Sequence, residues 1–264
     1  MSLQAWLHHI YYNEKLFYEI VPNPNLIVTI VRNPIQRFIS AWDWYEHEKK
    51  IAVSLSQFIK SYDKGKSCKI ELFHCQKFKY RTGLDSTTTE LVTKVNISNY
   101  YKLILSVLQR QLFVLVTDRY DESLIILAHY LNWNLDNILY FSQKVSATHG
   151  AHNLTMSDLD RLYNMQPYDA GLYVTANYML DQYIAEYGVN RLNRELFLFR
   201  RAQKRLFQIC YHNYTLPSTQ NITLWEAYCA DLKRDNRNEI VYVWSRRKIV
   251  NIVQGVDLRI LFNE

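Results

Sequence analysis

Two arginines and a serine share the short segment "VRNPIQRFIS", in which Arg32, Arg37 and Ser40 follow a strand-like run. Arg37 and Ser40 are three residues apart, so on a helix they share one face. A guanidinium offers a planar pair of donors that matches phosphate oxygens, and a hydroxyl adds a further donor. The spacing therefore predicts a site for a phosphate-like anion. Solvent-exposed arginines at an ordinary strand-to-helix junction would give the same pattern.

The elements around these residues would place them at a ligand-binding edge. Residues 26–31 are continuously apolar or β-branched, which predicts a buried strand covered on both faces. Pro34 suits the first turn of a helix, and we expect that helix to run to about Glu48. In α/β folds ligands bind where such strands end, and a helix start adds N–H groups and a positive dipole end. We therefore expect the first N–H groups of this helix to face the anion.

A second strand, turn and helix follow later in the chain. Leu112–Val116 ("LFVLV") reads as a buried strand, and "TDRYDESLIILAHYLNW" reads as a turn and a helix that Asp118 or Asp121 can cap. Two such units in one chain predict an α/β fold with a parallel sheet flanked by helices.

The rest of the chain is read as one domain, residues 1–264, with two less regular parts. Residues 52–99 are mixed and polar and predict a variable lobe, and residues 212–264 predict an irregular or β-rich C-terminal region. Helical patterns are also predicted at Leu55–Ser61, from Ser86 onward, and at residues 100–110. A further helix would begin at a capping box formed by Ser157 and Asp160. The next helix would cover residues 169–187, with Gly188 as the residue that ends it.

Composition and charge narrow the class of protein. At 264 residues and 48% hydrophobic residues the chain is globular. The net charge is +6, and +5 of it falls between Arg191 and Cys210. That segment contains six Lys or Arg residues and one acidic residue, Glu195. Apolar residues at helical spacing in that segment predict a helix with a basic face, either solvated or turned toward a polyanion or an anionic membrane surface. No nucleic acid is predicted as a partner, because the segment lacks an interleaved aromatic stacking face.

Cysteines and sequons point to a compartment. Four cysteines permit two disulfides, and they show no CxxC pairing, so no metal is predicted. No apolar run is long enough to span a membrane. Four N-glycosylation sequons favour a glycoprotein of the secretory lumen: they begin at Asn96, Asn153, Asn213 and Asn221.

Two motifs resemble one enzyme family. "VRNPIQRFISAWDWY" resembles the 3′-phosphate-binding segment of the Golgi carbohydrate sulfotransferases. "DRYDESLIILAHYLNWNLDNILYF" is similar to a block found in the galactose-3-O-sulfotransferases, which include galactosylceramide sulfotransferase. "LYVTANYMLDQYIAEYG" and "RLFQICY" fit later helices of that family, so the resemblance extends with gaps from about His9 to Tyr211.

This resemblance implies a P-loop-like sulfotransferase fold and a location on the lumenal side of the Golgi membrane. It also implies the reaction. Sulfate would pass from 3′-phosphoadenosine 5′-phosphosulfate to a galactose hydroxyl, expected to be the 3-hydroxyl, of a glycolipid or glycan. Arg32 and Ser40 would hold the 3′-phosphate of the donor, and Arg37 would support them or orient the turn. "HHIYYN" is similar to a His-x-x-x-Asn stretch of the family, which makes His9 the candidate general base.

The chain also departs from the family pattern. These enzymes have a first strand and a loop rich in Lys, Thr and Ser that holds the 5′-phosphosulfate, and usually a membrane anchor before it. Neither stands in this sequence, so we expect an upstream segment of a longer product to supply both, membrane anchoring included. The alternative is a catalytically incomplete remnant that binds the donor nucleotide or glycans without turnover.

Overall fold

The computed structural model describes residues 19, 26–44, 46–61, 86–91, 96–141, 152–211, 225–226, 228–230 and 262. They belong to two compact units. The first, the strand unit, draws its described residues from within His9–Tyr120 and Ser146–Gln182. The second, the helical unit, draws them from within Asp121–Val145 and Tyr183–Glu264.

The described residues are mostly helical. In chain order the α-helices are α1 (Pro34–Trp44), α2 (His47–Ile51), α3 (Leu55–Ser61), α4 (Ser86–Leu91), α5 (Ile97–Leu108), α6 (Tyr120–Tyr130), α7 (Met156–Asn164), α8 (Pro167–Tyr187) and α9 (Val189–Tyr211). Single 3₁₀ turns occupy Thr117–Arg119 and Leu135–Ile138. No helix in the described ranges is both long enough and apolar enough to cross a membrane.

A parallel pair of strands lies in the strand unit. β1 (Ile27–Val31) pairs with β2 (Leu112–Val116), and the register aligns Ile27 with Leu112 and Val31 with Val116. The predicted α/β organisation is confirmed, and both strands lie within one residue of their predicted bounds. The expected absence of a first strand and its loop concerns the N-terminal part of the fold, where residues 1–18 lie outside the described ranges.

The two strands are not equally covered. All five residues of β2 are buried, whereas Val28 and Ile30 of β1 are 39% and 47% exposed. Successive residues of a strand point to opposite faces, so these two mark one face of β1. The prediction that β1 is covered on both faces is therefore wrong: no described residue closes the face that carries Val28 and Ile30.

Helix α1 anchors the turn after β1 through its apolar face. Pro34, Phe38 and Trp42 are buried, and the last two lie in a core cluster completed by Leu55, Phe58, Ile59, Leu162 and Met165. The helix ends at Trp44, earlier than the predicted Glu48. Glu46 takes up a left-handed backbone conformation with φ 50°, which ends the right-handed helical path before α2 begins.

The capping box of α7 lies two residues before the predicted one. Thr155, not Ser157, is the N-cap, and its hydroxyl accepts a hydrogen bond from the backbone N–H of Asp158, whose carboxylate bonds back to Thr155. The local pattern offered the same residue types at both registers, and the partly buried Leu154, packed on the core cluster, accompanies the earlier one.

The helical unit contains the predicted basic helix. The inner face of α9 is buried through Leu192, Leu196, Phe199, Ala202, Leu206 and Cys210. Gly188 ends α8, as predicted, with φ 94°, which favours glycine. A disulfide joins Cys210 to Cys229, with the two Cα atoms 5.2 Å apart. Of the C-terminal region predicted to be irregular or β-rich, the structure describes six residues, and residues 225–226 and 228–230 are helical.

Candidate functional site

The carboxyl ends of β1 and β2 are joined at the candidate site. Arg32 directly follows β1, and Thr117 directly follows β2. The Thr117 hydroxyl donates a hydrogen bond of 2.7 Å to the carbonyl of Val31. This bond holds the turn that carries Arg32 beside the turn that carries Asp118. The two segments that sequence patterns place at one sheet edge are therefore tied together there.

The N–H groups at the start of α1 are already bonded. The side-chain oxygen of Asn33 accepts from Ile35 N–H at 3.0 Å and from Gln36 N–H at 3.3 Å. The Asn33 carbonyl accepts from Arg37 N–H at 2.9 Å, and Pro34 has no N–H to give. The expectation that these groups face an anion is therefore wrong, because Asn33 caps the helix. An anion at this edge must be held by side chains.

Arg32 and Ser40 are the side chains predicted to do so. Arg32 and Ser40 are half-buried, and neither forms a hydrogen bond or an ion pair with any residue that the structure describes. A guanidinium carries five N–H donors, and a serine hydroxyl adds one more. Donors of both kinds suit phosphate oxygens, and contact of Arg32 and Ser40 with a phosphate stays a prediction.

Arg37 stands in a different environment. Its Nη2 lies 3.4 Å from Oδ2 of Asp169 and 3.4 Å from Oε1 of Gln166. Asp169 is buried, and it also accepts from the N–H groups of Thr87 and Thr88 and from the Thr88 hydroxyl, at 3.1, 2.7 and 2.8 Å. The charge of Arg37 is thus balanced inside the protein, which favours an orienting role. Direct contact between Arg37 and phosphate stays a prediction.

Gln166 completes this network. Its side-chain nitrogen donates to the carbonyls of Pro34 and Leu162, both at 3.3 Å, while its oxygen accepts from Arg37. Gln166 is fully buried, so each of these bonds replaces one to water. The start of α1 is consequently fixed to the turn between α7 and α8.

A tyrosine that the sequence patterns did not single out reaches the same edge. The Tyr173 hydroxyl donates to Oδ2 of Asp118 at 2.7 Å. Burial, and then the neighbouring Asp118 carboxylate, raise the pKa of Tyr173. The phenol therefore stays protonated and joins α8 to the turn after β2.

The two predicted helix caps have other partners. Asp118 binds Tyr173, as described. In the helical unit, the carboxylate of Asp121 accepts from the Tyr140 hydroxyl at 2.8 Å and from Arg200 at 2.9 Å. The prediction that either residue caps α6 is wrong, because the helix begins at Tyr120: Asp118 lies in the preceding 3₁₀ turn and Asp121 lies inside the first helical turn. His9, the predicted base, lies outside the described residues.

Comparison with known proteins gives a consistent result. Residues 3–224 match the family model described as galactose-3-O-sulfotransferase. The chain is 25% identical to galactose-3-O-sulfotransferase 2 of Mus musculus over 224 residues, which are 82% of this chain and 55% of the relative. It is 24% identical to galactose-3-O-sulfotransferase 3 of Homo sapiens over 226 residues, 80% of this chain and 51% of the relative.

A third relative matches a shorter stretch more closely. Galactosylceramide sulfotransferase of Bos taurus is 31% identical over 97 residues, 37% of this chain and 23% of the relative. The chain spans about half the length of the first two curated relatives. No solved structure matches it.

Proposed function

The chain belongs to the galactose-3-O-sulfotransferase family, and from that premise we propose that it transfers sulfate from 3′-phosphoadenosine 5′-phosphosulfate to a galactose hydroxyl. The proposed acceptor is the 3-hydroxyl of a galactose-terminated glycolipid or glycan. The names of these relatives support both kinds of acceptor, since one names galactosylceramide and the others name galactose alone.

The observation that carries the proposal is the contrast between Arg32 and Arg37. Arg37 is paired with a buried carboxylate, whereas Arg32 has no ion pair with any described residue. A phosphate bound at the end of β1 would give Arg32 its counter-charge, and Ser40 would add a neutral donor. Hydrogen bonds to charged groups contribute about 1.5–3 kcal/mol each, enough for these side chains to set donor affinity.

Each part of the proposed reaction is assigned to particular residues. When bound, the donor supplies the sulfuryl group: the acceptor oxygen bonds to sulfur as the bond between sulfur and the 5′-phosphate oxygen breaks. His9 takes the proton of the acceptor hydroxyl. Arg32 and Ser40 hold the 3′-phosphate and so fix the nucleotide, while Arg37 and Asp169 fix the turn from which Arg32 projects. Positioning and cationic groups carry most of the catalysis in related phosphoryl transfers.

The proposed location is the lumenal side of the Golgi membrane. Disulfides persist in oxidising compartments, and Cys210 is bonded to Cys229. The secretory lumen is such a compartment, and galactose-terminated glycans are displayed there. The disulfide therefore supports the location independently of the family.

Sulfate transfer from radiolabelled donor tests the proposal. The acceptor is a galactose-terminated glycoside, and its control is the same glycoside with a methoxy group in place of the 3-hydroxyl. We expect label in the first and none in the second. Equal labelling of both would contradict the 3-hydroxyl, and donor binding without labelling of either would support a protein that binds without turnover.

A further inference from the structure

We propose that Asn96 and Asn153 carry N-linked glycans in the mature protein. Of the four sequons in the sequence, these two fall on described residues, and both asparagine side chains are exposed. The proposal rests on the lumenal location proposed above and not on sulfate transfer.

Asn96 is placed so that a glycan and a helix cap are compatible. It is the N-cap of α5, with an extended backbone, and its side-chain carbonyl oxygen accepts from Asn99 N–H at 2.9 Å. Glycosylation occurs on the other amide atom, the nitrogen. The modified amide keeps the oxygen that caps the helix, so the folded structure does not oppose the modification.

The surroundings of Asn96 leave room for a bulky group. Ile97 and Tyr101, on the first two turns of α5, are 65% and 59% exposed, and Ser98 of the sequon is exposed as well. The start of α5 is thus surrounded by accessible side chains in the described part of the chain.

Asn153 lies at the apex of a tight turn. The N–H of Leu154 donates to the carbonyl of His152 at 2.6 Å, which closes a three-residue turn around Asn153. His152 bonds to Asp43 at 2.6 Å, and Leu154 packs against the core cluster. Both neighbours are held inward, and Asn153 is left exposed between them.

The hydroxyl of the second sequon sets the timing of modification. In the folded protein the Thr155 hydroxyl donates to Asp158 at 2.9 Å and accepts from Asp158 N–H at 3.2 Å. A sequon hydroxyl engaged in a capping box is not available to the modifying enzyme. Asn153 must therefore be glycosylated before α7 closes its cap, during synthesis or early folding.

The reaction is a glycosyl transfer from a polyprenyl-diphosphate-linked oligosaccharide. The asparagine amide nitrogen bonds to C1 of the first sugar, the bond between C1 and the diphosphate oxygen breaks, and the amide gives up one proton. The lipid diphosphate is the leaving group. No oxidant or reductant is involved.

Peptide mapping after enzymatic deglycosylation tests each site separately. The protein is expressed from its natural transcript in eukaryotic cells and treated with peptide N-glycosidase in ¹⁸O-water. We expect ¹⁸O-labelled aspartate at positions 96 and 153. An unlabelled asparagine at either position overturns the proposal for that site, and glycosylation is read independently of sulfate transfer, so either proposal can fail alone.

Matched variants separate the sequon from the fold. Ser98→Ala leaves the Asn96 cap intact and should remove the first glycan. Thr155→Ser keeps both the sequon and the capping hydroxyl and should retain the second, whereas Asn153→Gln should abolish it. Because the glycan is added before folding is complete, a variant that is retained in the cell still gives a valid result. Gel mobility that none of these variants changes would contradict both sites.

Discussion

Arg37 and the buried Asp169 form a partly buried ion pair, with Nη2 of the guanidinium 3.4 Å from Oδ2 of the carboxylate. The pair links the first turn of α1 to the first turn of α8. The two arginines of the segment after β1 therefore differ in their environment. Arg37 is paired inside the protein, and we propose that Arg32, which has no ion pair with a described residue, binds the ligand.

Loss of the Asp169 carboxylate should be strongly destabilising. Asp169→Ala leaves the Arg37 guanidinium and the donors of Thr87 and Thr88 without their acceptor. Breaking a buried ion pair from one side costs about 3–5 kcal/mol, and we expect the free energy of unfolding to fall by that amount in urea denaturation. Asp160→Ala, at an exposed position of α7, is the control and should change it by less than about 0.5 kcal/mol.

The two arginines should differ in their effect on stability. Arg37→Ala removes bonds to Asp169 and Gln166 and should lower the free energy of unfolding by about 1–3 kcal/mol. Arg32→Ala removes no contact to a described residue and should leave it within about 0.5 kcal/mol. The same urea titrations measure both. A larger loss for Arg32→Ala than for Arg37→Ala would reverse the assignment of roles.

Stability should rise with pH between about 4 and 6.5 because of His47. Burial, and then the nearby Lys50, lower the pKa of His47 from 6.5 to about 4. In that range the unfolded chain binds a proton that the folded protein does not, so His47 contributes stability above pH 6.5 that is lost as the pH falls toward 4.

The ring of His47 packs on Trp42, with centroids 5.6 Å apart, so His47→Phe keeps an aromatic ring in place. Urea midpoints measured across this pH range should show a shallower slope for His47→Phe than for the parent protein. Superimposable slopes would mean that His47 titrates alike in both states.

The disulfide between Cys210 and Cys229 should stabilise the helical unit. It closes a loop with a sequence separation of 19 residues, for which the chain-entropy model gives about 3 kcal/mol. Cys210→Ser combined with Cys229→Ser should lower the free energy of unfolding by that order, measured by urea denaturation. A double variant as stable as the parent would show that the bridge adds nothing.

Local signals located the elements around the site. The β-branched runs of β1 and β2 and the proline at the start of α1 are properties of short segments, so the strands and the turn that holds Arg32 could be predicted. The cap of α1 by Asn33 could also be predicted, since asparagine is among the most favourable N-cap residues. The helix dipole alone predicts free N–H groups at this end, whereas the Asn33 side chain occupies two of them.

The partners of Arg37 could not be predicted in the same way. Gln166 is 129 residues away from Arg37 along the chain, and Tyr173 is 55 residues from Asp118. No periodicity or spacing encodes such contacts, because they arise when α8 packs beside the sheet edge. The exposed face of β1 was missed for a related reason: a continuous apolar run does not reveal which face is covered.

The most direct test of the account is the affinity of the Arg32→Ala variant for two nucleotides, measured by titration calorimetry. For 3′-phosphoadenosine 5′-phosphate, loss of one charged contact of about 1.5–3 kcal/mol should weaken binding roughly 10- to 150-fold. For adenosine 5′-phosphate, which lacks the 3′-phosphate, affinity should not change. Arg161→Ala, at an exposed arginine of α7, controls for net charge. Unchanged affinity for the bisphosphate, or an equal loss for both nucleotides, would contradict the assignment of Arg32 to the 3′-phosphate.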